Sequence, residues 1–190
     1  MPELPEVENT RRYLVQAGLP GRTFTDADIG WANSVKRPAL EDFLLELPGS
    51  RIQAVQRRAK YILLPLDTGF TLILHLGMTG GLRLQPTSDP SDPMVRHRFS
   101  LKDGWELRFL DSRKFAKLWL VSEPASVLPT LGPEPLSEDF TPEALASGLA
   151  RRHLPIKALL LEQSVVSGLG NLYVDESLYL AGIHPLRPAA

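Results

Sequence analysis

The sequence predicts an α+β fold in which an N-terminal, two-sheet antiparallel β-sandwich with flanking helices precedes a smaller helical region. Short apolar or alternating segments bounded by turn residues fill the middle of the chain, as is typical of antiparallel strands. Apolar residues at helical spacing lie towards both ends. Hydrophobic residues make up 43% of the chain and charged residues 23%, so a core of ordinary size can form.

The first helix is predicted at 3–17, and Gly18 ends it. Pro2 stands where a proline suits the start of a helix. A second, short helix is predicted at 38–47, because the Pro-Gly pair at 48–49 stops it. The apolar residues at helical spacing in the first helix are Leu4, Val7 and Leu14.

The central strands are short and separated by turn signals such as those at 67–69 and 103–104. Two antiparallel sheets packed face to face would account for so many strands of this kind. The predicted strands lie at 51–57, 60–66, 70–76, 81–85, 97–102, 105–111 and 115–121.

The last part of the chain returns to helical patterns. Thr141 is predicted to cap a helix with Pro142 at its first position. Further helices are predicted at 155–163 and at 172–181, the latter capped by Asn171. The predicted domains are a β-sandwich at 1–130, a proline-rich linker at 131–140 and a helical domain at 141–190.

Composition excludes several classes of site. The chain has no cysteine, which excludes disulfides and cysteine-ligated metals, and its four histidines form no close pair at metal-ligand spacing. We therefore expect no metal and no cofactor. No apolar run is long enough to span a bilayer, and the N-terminus is acidic, so we expect a cytoplasmic protein without a membrane partner.

Net charge argues against a nucleic-acid partner, since it is −1 at pH 7. The basic residues are nevertheless clustered, so a basic face on a neutral molecule is conceivable. The clusters are Arg51, Arg57, Arg58 and Lys60; Arg108, Arg113, Lys114 and Lys117; and Arg151, Arg152, His153 and Lys157.

The N-terminus contains the most informative chemistry. Removal of Met1 would leave Pro2 with a free secondary amine, and the pKa of an α-amino group is about 8, far below that of lysine. Such an amine can attack the C1′ carbon of a deoxyribose and form an iminium ion. Glu3 and Glu6 could then assist proton transfer. Acidic residues in a first helical turn also complement the helix dipole, which is a purely structural alternative.

The segment MPELPEVENTRR (1–12) resembles the N-terminal signature of the formamidopyrimidine-DNA glycosylases. The resemblance implies that Pro2 is the nucleophile and Glu3 the key acid, with Glu6 in support. Leu4 favours this branch over the related endonuclease VIII branch, which usually has glycine there.

Two further segments extend the resemblance. QRRAKYILL (56–64) resembles the family segment with a catalytic lysine, here Lys60, and HLGMTGGL (75–82) resembles the loop whose methionine fills the space of the extruded base, here Met78. His75 and His97 match positions that contact backbone phosphates in the family. Without the resemblance, Lys60 would be an edge charge, Met78 a core residue and both histidines structural.

FLDSRKF (109–115) resembles the family's intercalation loop. This implies that Arg113 faces the orphaned base and that Phe115 wedges between base pairs. The family usually has proline and a second arginine where this chain has Ser112 and Lys114. Lysine keeps the charge but loses bidentate phosphate geometry.

LGPEPLS (131–137) resembles the family's linker, and residues 156–185 resemble its helix-two-turn-helix motif. The resemblance implies phosphate binding at a helix N-terminus by backbone amides near Gly170 and by Asn171. It also implies added charge from Lys157 and a place for Glu176 in the active site.

The leading hypothesis is a bifunctional glycosylase that flips out an oxidised purine, such as 8-oxoguanine or a formamidopyrimidine, excises it and cleaves the strand. Its expected partner is double-stranded DNA containing oxidised bases or abasic sites, bound by a monomer. The family's C-terminal zinc finger is absent, so the chain is expected to be a truncated form. A catalytically impaired DNA-binding module and a protein-interaction scaffold are the alternatives.

Overall fold

A computed structural model describes residues 1–128, 130–138, 140–150 and 152–189. By its internal contacts the chain divides into two compact units, Met1–Val127 and Leu128–Ala190. The finer division with a separate linker at 131–140 stays a prediction.

The first unit contains nearly all of the strands that the apolar patterns predict. Its helices are α1 (Leu4–Gln16) and α2 (Leu40–Glu46). Its strands are β1 (Phe24–Ile29), β2 (Val35–Arg37), β3 (Gln56–Arg58), β4 (Tyr61–Pro65), β5 (Thr71–His75), β6 (Gly81–Pro86), β7 (Val95–Leu101), β8 (Trp105–Leu110) and β9 (Lys117–Val121).

These strands form two sheets. The four-stranded sheet has the order β1-β7-β8-β6, and the five-stranded sheet has the order β2-β9-β5-β4-β3. All pairs are antiparallel except β2 with β9, which is parallel. The predicted α+β class with a two-sheet N-terminal domain is confirmed, whereas the prediction that every strand is antiparallel is wrong at this edge.

Residues from both sheets are buried in one apolar cluster. Phe99 and Phe109 come from the four-stranded sheet, and Leu64 and Leu72 come from the five-stranded sheet, all fully buried. In β6 burial alternates along the strand, as expected for a strand with one face on the core. Burial of these apolar side chains is the main driving force for the unit.

Two strands and one boundary differ from the sequence-based expectation. β1 and β2 were not predicted, because β1 reads FTDADI, with polar residues at most positions, and β2 is three residues long. The strand predicted at 51–57 is wrong over most of its length: residues 51 and 52 form only isolated bridges, and β3 begins at Gln56.

The start of α1 also needs a correction. Glu3 is the N-cap residue, and the proline in the first turn is Pro5, not Pro2. Pro2 therefore precedes the helix and is free of the backbone constraint that a helical position would impose.

The second unit contains three helices in its described residues: α3 (Pro142–Leu149), α4 (Ile156–Leu161) and α5 (Asn171–Leu180). The Thr141 hydroxyl accepts a hydrogen bond from Ala144 N–H at 3.1 Å, which confirms the predicted cap. Gly170 is the N-cap of α5 and Asn171 its first helical residue, so the prediction that Asn171 caps this helix is wrong by one residue.

Buried apolar side chains from α4, α5 and the segment between them form a separate small core in this unit. Among the described residues, none of the helices is both long and apolar enough to span a membrane.

Candidate active site

The cross-strand register of the five-stranded sheet brings three distant segments to one end of it. Tyr61 at the start of β4 pairs with His75 at the end of β5, and His75 pairs with Lys117 at the start of β9. The turn before β4, the loop after β5 and the loop before β9 therefore leave the sheet at the same end. These segments contain Lys60, Met78 and residues 113–115.

Lys60 and Glu3 form the centre of this end. Lys60 is only 7% exposed and Glu3 only 4%. Burial lowers the pKa of the Lys60 ammonium, and the Glu3 carboxylate partly opposes this, so the two groups interact electrostatically. A desolvated lysine is more readily deprotonated and is a common form of catalytic amine.

The N-terminal turn of α1 is fixed by Glu3 and Glu6, the two acidic residues that were predicted to act in catalysis. Glu3 and Glu6 form a capping box, in which Glu3 N–H donates to Glu6 Oε2 at 2.9 Å. This contact orders the backbone at Glu3, next to the half-buried Pro2. Glu6 itself is exposed, so its contribution in this structure is to hold the residues that precede the helix.

His75 lies beside this centre. Its Nδ1 accepts a hydrogen bond from Gly77 N–H at 3.1 Å, and its ring lies 5.0 Å from that of Tyr61. Burial, with further repulsion from Lys117 and Lys60, lowers the pKa of His75 to about 4. At neutral pH the ring is therefore uncharged.

His97 lies elsewhere. It belongs to β7 of the other sheet, is 1% exposed and packs edge-on against Phe109 with ring centroids 5.6 Å apart. Burial lowers its pKa to about 4, although Asp111 and Asp28 act in the opposite direction. No described residue hydrogen-bonds to its Nδ1. His97 thus lies on the other sheet from His75, and its phosphate contact stays a prediction.

The loops that contain Met78 and Phe115 are in close contact through Gly77. Gly77 has φ +64°, and a Cβ there would lie 2.6 Å from the backbone carbon of Phe115. Only glycine fits both the left-handed backbone and this close approach. Met78 and Phe115 are 41% and 47% exposed, so both present apolar surface to solvent at the sheet end.

Asp111 fixes the loop before β9, which contains Phe115. The sequence analysis did not single out this residue. This 1% exposed residue accepts hydrogen bonds from Thr79 Oγ1 at 2.8 Å, Arg113 N–H at 3.2 Å and Ala116 N–H at 2.7 Å. The only local signal is an aspartate that opens a turn, which is a common pattern with a local explanation.

The two cations of the loop each lie over an aromatic ring. The Arg113 guanidinium lies 5.1 Å from the centroid of Phe115, and Lys114 Nζ lies 4.6 Å from that of Trp31. Lys114 has a left-handed backbone with φ +60°. Cation–π contacts of this kind position a charge without neutralising it.

Two arginines of the predicted basic clusters serve other purposes. Arg108 is 3% exposed, pairs with the buried Glu106 and donates to the carbonyls of Asp89 and Pro90. Arg57 pairs with Glu8. Because both are paired with glutamates, neither is available to a basic face. The two sequence clusters that include Arg57 and Arg108 therefore overstate the number of free cations.

The predicted DNA-binding residues of the second unit surround the start of α5. Lys157 Nζ lies 2.7 Å from Asp175 Oδ1, so its charge is paired. The turn before α5 is held by Gln163, whose side chain accepts from Gly168 N–H and donates to the carbonyls of Leu161 and Leu169. Sequence reasoning missed Gln163.

Asn171 and Glu176 are both exposed on α5. Gly170, the N-cap, is buried. The roles predicted for these three residues stay predictions.

The described residues contain no group of three or more His, Asp or Glu side chains that could hold a metal ion. The described part of the chain therefore offers no ligand set for a zinc site like that of the family's zinc finger.

Comparison with known proteins agrees with the resemblance along the chain. The profile of the formamidopyrimidine-DNA glycosylase N-terminal domain matches residues 1–118, and that of the same enzyme's H2TH domain matches residues 131–190. The chain belongs to the formamidopyrimidine-DNA glycosylase family. The predicted family is thereby confirmed.

Members of the family with high similarity come from several bacteria. The formamidopyrimidine-DNA glycosylase of Herpetosiphon aurantiacus is 47% identical over 192 residues, which cover 100% of this chain and 70% of that protein. The one from Bacillus subtilis is 44% identical over 190 residues, covering 97% of this chain and 68% of that protein.

Solved structures of the family share the fold. Lactococcus lactis Fpg in complex with DNA containing an abasic site matches with a TM-score of 0.89 and 36% identity, over 98% of this chain and 69% of that one. The same protein in complex with DNA containing FAPY-dG matches with a TM-score of 0.89 and 36% identity, over 98% of this chain and 71% of that one.

Proposed function

We propose that this chain is a bifunctional DNA glycosylase and AP lyase that excises oxidised purines through a Schiff base at Pro2. The observation that carries the proposal is that Glu3, next to Pro2, and Lys60, at the sheet end where the exposed Met78 and Phe115 loops meet, are both buried and interact electrostatically. Membership of the glycosylase family supports it.

The chemistry begins at the amine of Pro2 after removal of Met1. The amine nitrogen attacks C1′ of the damaged nucleotide, and the C1′–N bond to the base breaks, so the base leaves with that electron pair and takes up a proton. The attached nitrogen then loses its N–H proton, its lone pair forms the C=N bond as the sugar C1′–O4′ bond opens, O4′ accepts a proton, and the nitrogen is left as an iminium bonded to C1′.

The iminium makes the C2′ proton acidic. Loss of that proton drives elimination of the 3′ phosphate, which breaks the strand, and water hydrolyses the iminium to release Pro2. Glu3 is suited to protonate the opening sugar because it lies next to Pro2 and interacts with Lys60. Lys60, with its lowered pKa, is suited to shuttle a proton at the same centre.

The exposed loop residues are suited to a flipped-out nucleotide. Phe115 would enter the base stack, Met78 would fill the vacated space and Arg113 would face the unpaired base. Lys114, held over Trp31, would contact a backbone phosphate. In the second unit, Asn171 and the backbone at Gly170 would bind phosphate, and Lys157 could contribute once it exchanges Asp175 for DNA.

Borohydride trapping tests the proposal. The protein, shown by mass spectrometry to begin at Pro2, is incubated with a duplex containing 8-oxoguanine opposite cytosine, or with an abasic duplex, and sodium borohydride is added. We expect a covalent protein–DNA product with both duplexes. The matched control is the same chain with two residues added before Pro2, which blocks the amine and leaves the rest unchanged.

Each outcome has a defined meaning. A product from the blocked control as well would place the nucleophile elsewhere and refute the role of Pro2. A product with the abasic duplex alone would show that the chain has lyase activity but does not excise 8-oxoguanine. No product on either duplex, from folded protein that still binds DNA, would favour the catalytically impaired DNA-binding module.

A further inference from the structure

Glu8 lies on α1 and is surrounded by three arginines. Its carboxylate accepts from Arg11 at 2.7 Å, from Arg12 at 3.0 Å and from Arg57 at 3.0 Å. Hydrogen bonds from Arg11 foremost, with those from Arg57 and Arg12, outweigh burial and lower the pKa of Glu8 to about 2. Glu8 is therefore an anion at every physiological pH.

Arg57 links this helix to the turn before Lys60. Its Nε donates to Glu8 Oε2 at 3.0 Å, and its Nη1 donates to the carbonyl of Ala59 at 3.1 Å. The Arg57 side chain is only 10% exposed, so the pair is largely withdrawn from water. Such an ion pair is costly to break on one side, because the remaining charge is left uncompensated.

The turn at Ala59 has a strained backbone, which the contact from Arg57 helps to hold. Ala59 has φ +50° and is completely buried, and a left-handed backbone costs free energy for any residue with a Cβ. Lys60 follows immediately. The orientation of the Lys60 backbone thus depends on a strained residue whose carbonyl is held by Arg57.

The two ends of this linkage are the two elements that contain the proposed catalytic groups. Glu3 is the N-cap of α1, the helix that contains Glu8, and Lys60 follows Ala59, whose carbonyl Arg57 binds. We propose that Glu8 and Arg57 are positioning residues that set the placement of Lys60 relative to Glu3. This inference rests on the proposed function, because it assumes that Lys60 and Glu3 act together in catalysis.

A merely structural role makes a different prediction. If the ion pair only stabilises the fold, removing it lowers the free energy of unfolding but leaves Lys60 in its buried setting in those molecules that are folded. If it positions Lys60, the lysine gains contact with water even in folded protein, and its titration changes.

The first measurement follows Lys60 directly and needs no activity. In protein labelled with ¹³C-lysine, the Lys60 resonance is assigned with Lys60→Arg and titrated in the absence of DNA, in wild type, Glu8→Gln and Arg12→Ala. We expect Glu8→Gln to raise the pKa of Lys60 towards that of an exposed lysine. Arg12→Ala is the matched control, because Arg12 contacts the same carboxylate but its side chain is 64% exposed.

The second measurement is single-turnover borohydride trapping on an abasic duplex. We expect Glu8→Gln to lower the trapping rate by about 10- to 100-fold, as a misplaced catalytic group does, with little change in the Kd for the same duplex. Arg57→Lys keeps the charge but cannot bridge Glu8 and the Ala59 carbonyl as the arginine fork does. Its trapping rate should therefore fall between those of the wild type and Glu8→Gln. If Glu8→Gln does not fold, Arg57→Lys takes its place in both measurements.

An unchanged or lowered Lys60 pKa together with an unchanged trapping rate in folded Glu8→Gln would overturn the inference. Equal changes of the Lys60 pKa and of the trapping rate in Glu8→Gln and Arg12→Ala would also overturn the inference. Such changes would come from the altered charge of α1 and not from a displaced lysine. If the wild type itself fails to trap, the proposed function fails, but the Lys60 titration still decides whether Glu8 and Arg57 position the lysine.

Discussion

Thr79 donates a hydrogen bond to the buried carboxylate of Asp111, with 2.8 Å between Oγ1 and Oδ1. This bond joins the loop after β5, which contains Met78, to the loop before β9, which contains Arg113 and Phe115. Since the same carboxylate accepts from the backbone of its own loop, one buried anion fixes both loops together.

Replacing Asp111 should therefore loosen the whole loop pair. We expect Asp111→Ala to lower the free energy of unfolding by about 3 kcal/mol, because one buried and two part-buried hydrogen bonds lose their carboxylate acceptor, and Thr79→Val by about 1 kcal/mol, because it loses one part-buried bond. Urea unfolding followed by tryptophan fluorescence measures this in the first unit, which contains Trp31, Trp105 and Trp119. Equal losses in the two variants would contradict the central place of Asp111.

Gly77 should be less replaceable than a glycine that has the same backbone but open space around it. Gly77→Ala adds a Cβ 2.6 Å from the Phe115 backbone, whereas Gly69→Ala at φ +87° meets nothing within 4 Å. Each should lose about 1 kcal/mol to the left-handed backbone, and Gly77→Ala should lose more through the clash. The difference in urea midpoint between these two variants isolates the contact, and a difference of zero would refute it.

The sequence draws attention to residues that lie in recognisable motifs and overlooks residues whose contacts come from distant parts of the chain. Lys60, Met78 and Phe115 were found because each lies in a segment that resembles a family motif. Asp111 and Glu8 were not, because an aspartate in a turn and a glutamate on a helix are commonplace along the chain. Asp111 becomes important through its hydrogen bond from Thr79, and Glu8 through its hydrogen bond from Arg57, and both donors lie on other segments of the chain.

The fold shows the same limit. Strands with apolar faces, such as β4 and β5, were predicted because burial dictates their residues. β1 was missed because it lies at the edge of its sheet and only two of its residues, Phe24 and Ala27, are buried. A strand whose side chains mostly face water leaves little trace in a hydrophobic pattern.

Acid should destabilise the first unit in two separate windows. The pKa values of His75 and His97 are lowered to about 4 in the folded protein, so the unfolded chain binds these protons first and stability falls as pH drops from about 6.5 to 4. Each histidine contributes a slope of at most about 1.4 kcal/mol per pH unit. Glu8, with its pKa near 2, contributes stability above about 4.5 that is lost as pH falls from there to 2.

Urea unfolding of the first unit at intervals from pH 7 to pH 4 measures the upper window. His97→Phe keeps a ring against Phe109 and removes one titrating group. The slope of the free energy of unfolding against pH should therefore fall by roughly the contribution of one histidine. An undiminished slope in this variant would show that His97 takes no part in the acid response.

Gln163 should control the order of the turn before α5. Its amide nitrogen donates to the Leu161 carbonyl at 3.1 Å and to the Leu169 carbonyl at 2.9 Å, and its oxygen accepts from Gly168 N–H at 2.9 Å. Gln163→Glu has nearly the same shape but cannot donate, and its charge faces two carbonyls, so the turn should open. Hydrogen exchange at 164–170 should speed up, whereas the same change at the exposed Gln16 should leave it unaltered.

Phe115 should matter for DNA and not for folding. Its ring is 47% exposed, so Phe115→Ala should change the free energy of unfolding by no more than about 0.5 kcal/mol. If the ring enters the base stack, the same variant should raise the Kd for a duplex with an abasic-site analogue by about tenfold, which corresponds to about 1.4 kcal/mol. Fluorescence anisotropy at fixed salt measures that Kd, since phosphate contacts alone make it salt-dependent.

Two further variants separate wedging from general loss of apolar surface. Phe115→Trp keeps a flat ring at the same place and should retain the affinity, because stacking tolerates a larger aromatic group. Leu45→Ala removes a 79% exposed apolar side chain from α2, which is not part of the Met78 and Phe115 loops, and should leave the Kd unchanged. A Kd that rises equally in Leu45→Ala and Phe115→Ala, or that rises in Phe115→Trp as much as in Phe115→Ala, would mean that the exposed ring of this loop does not intercalate.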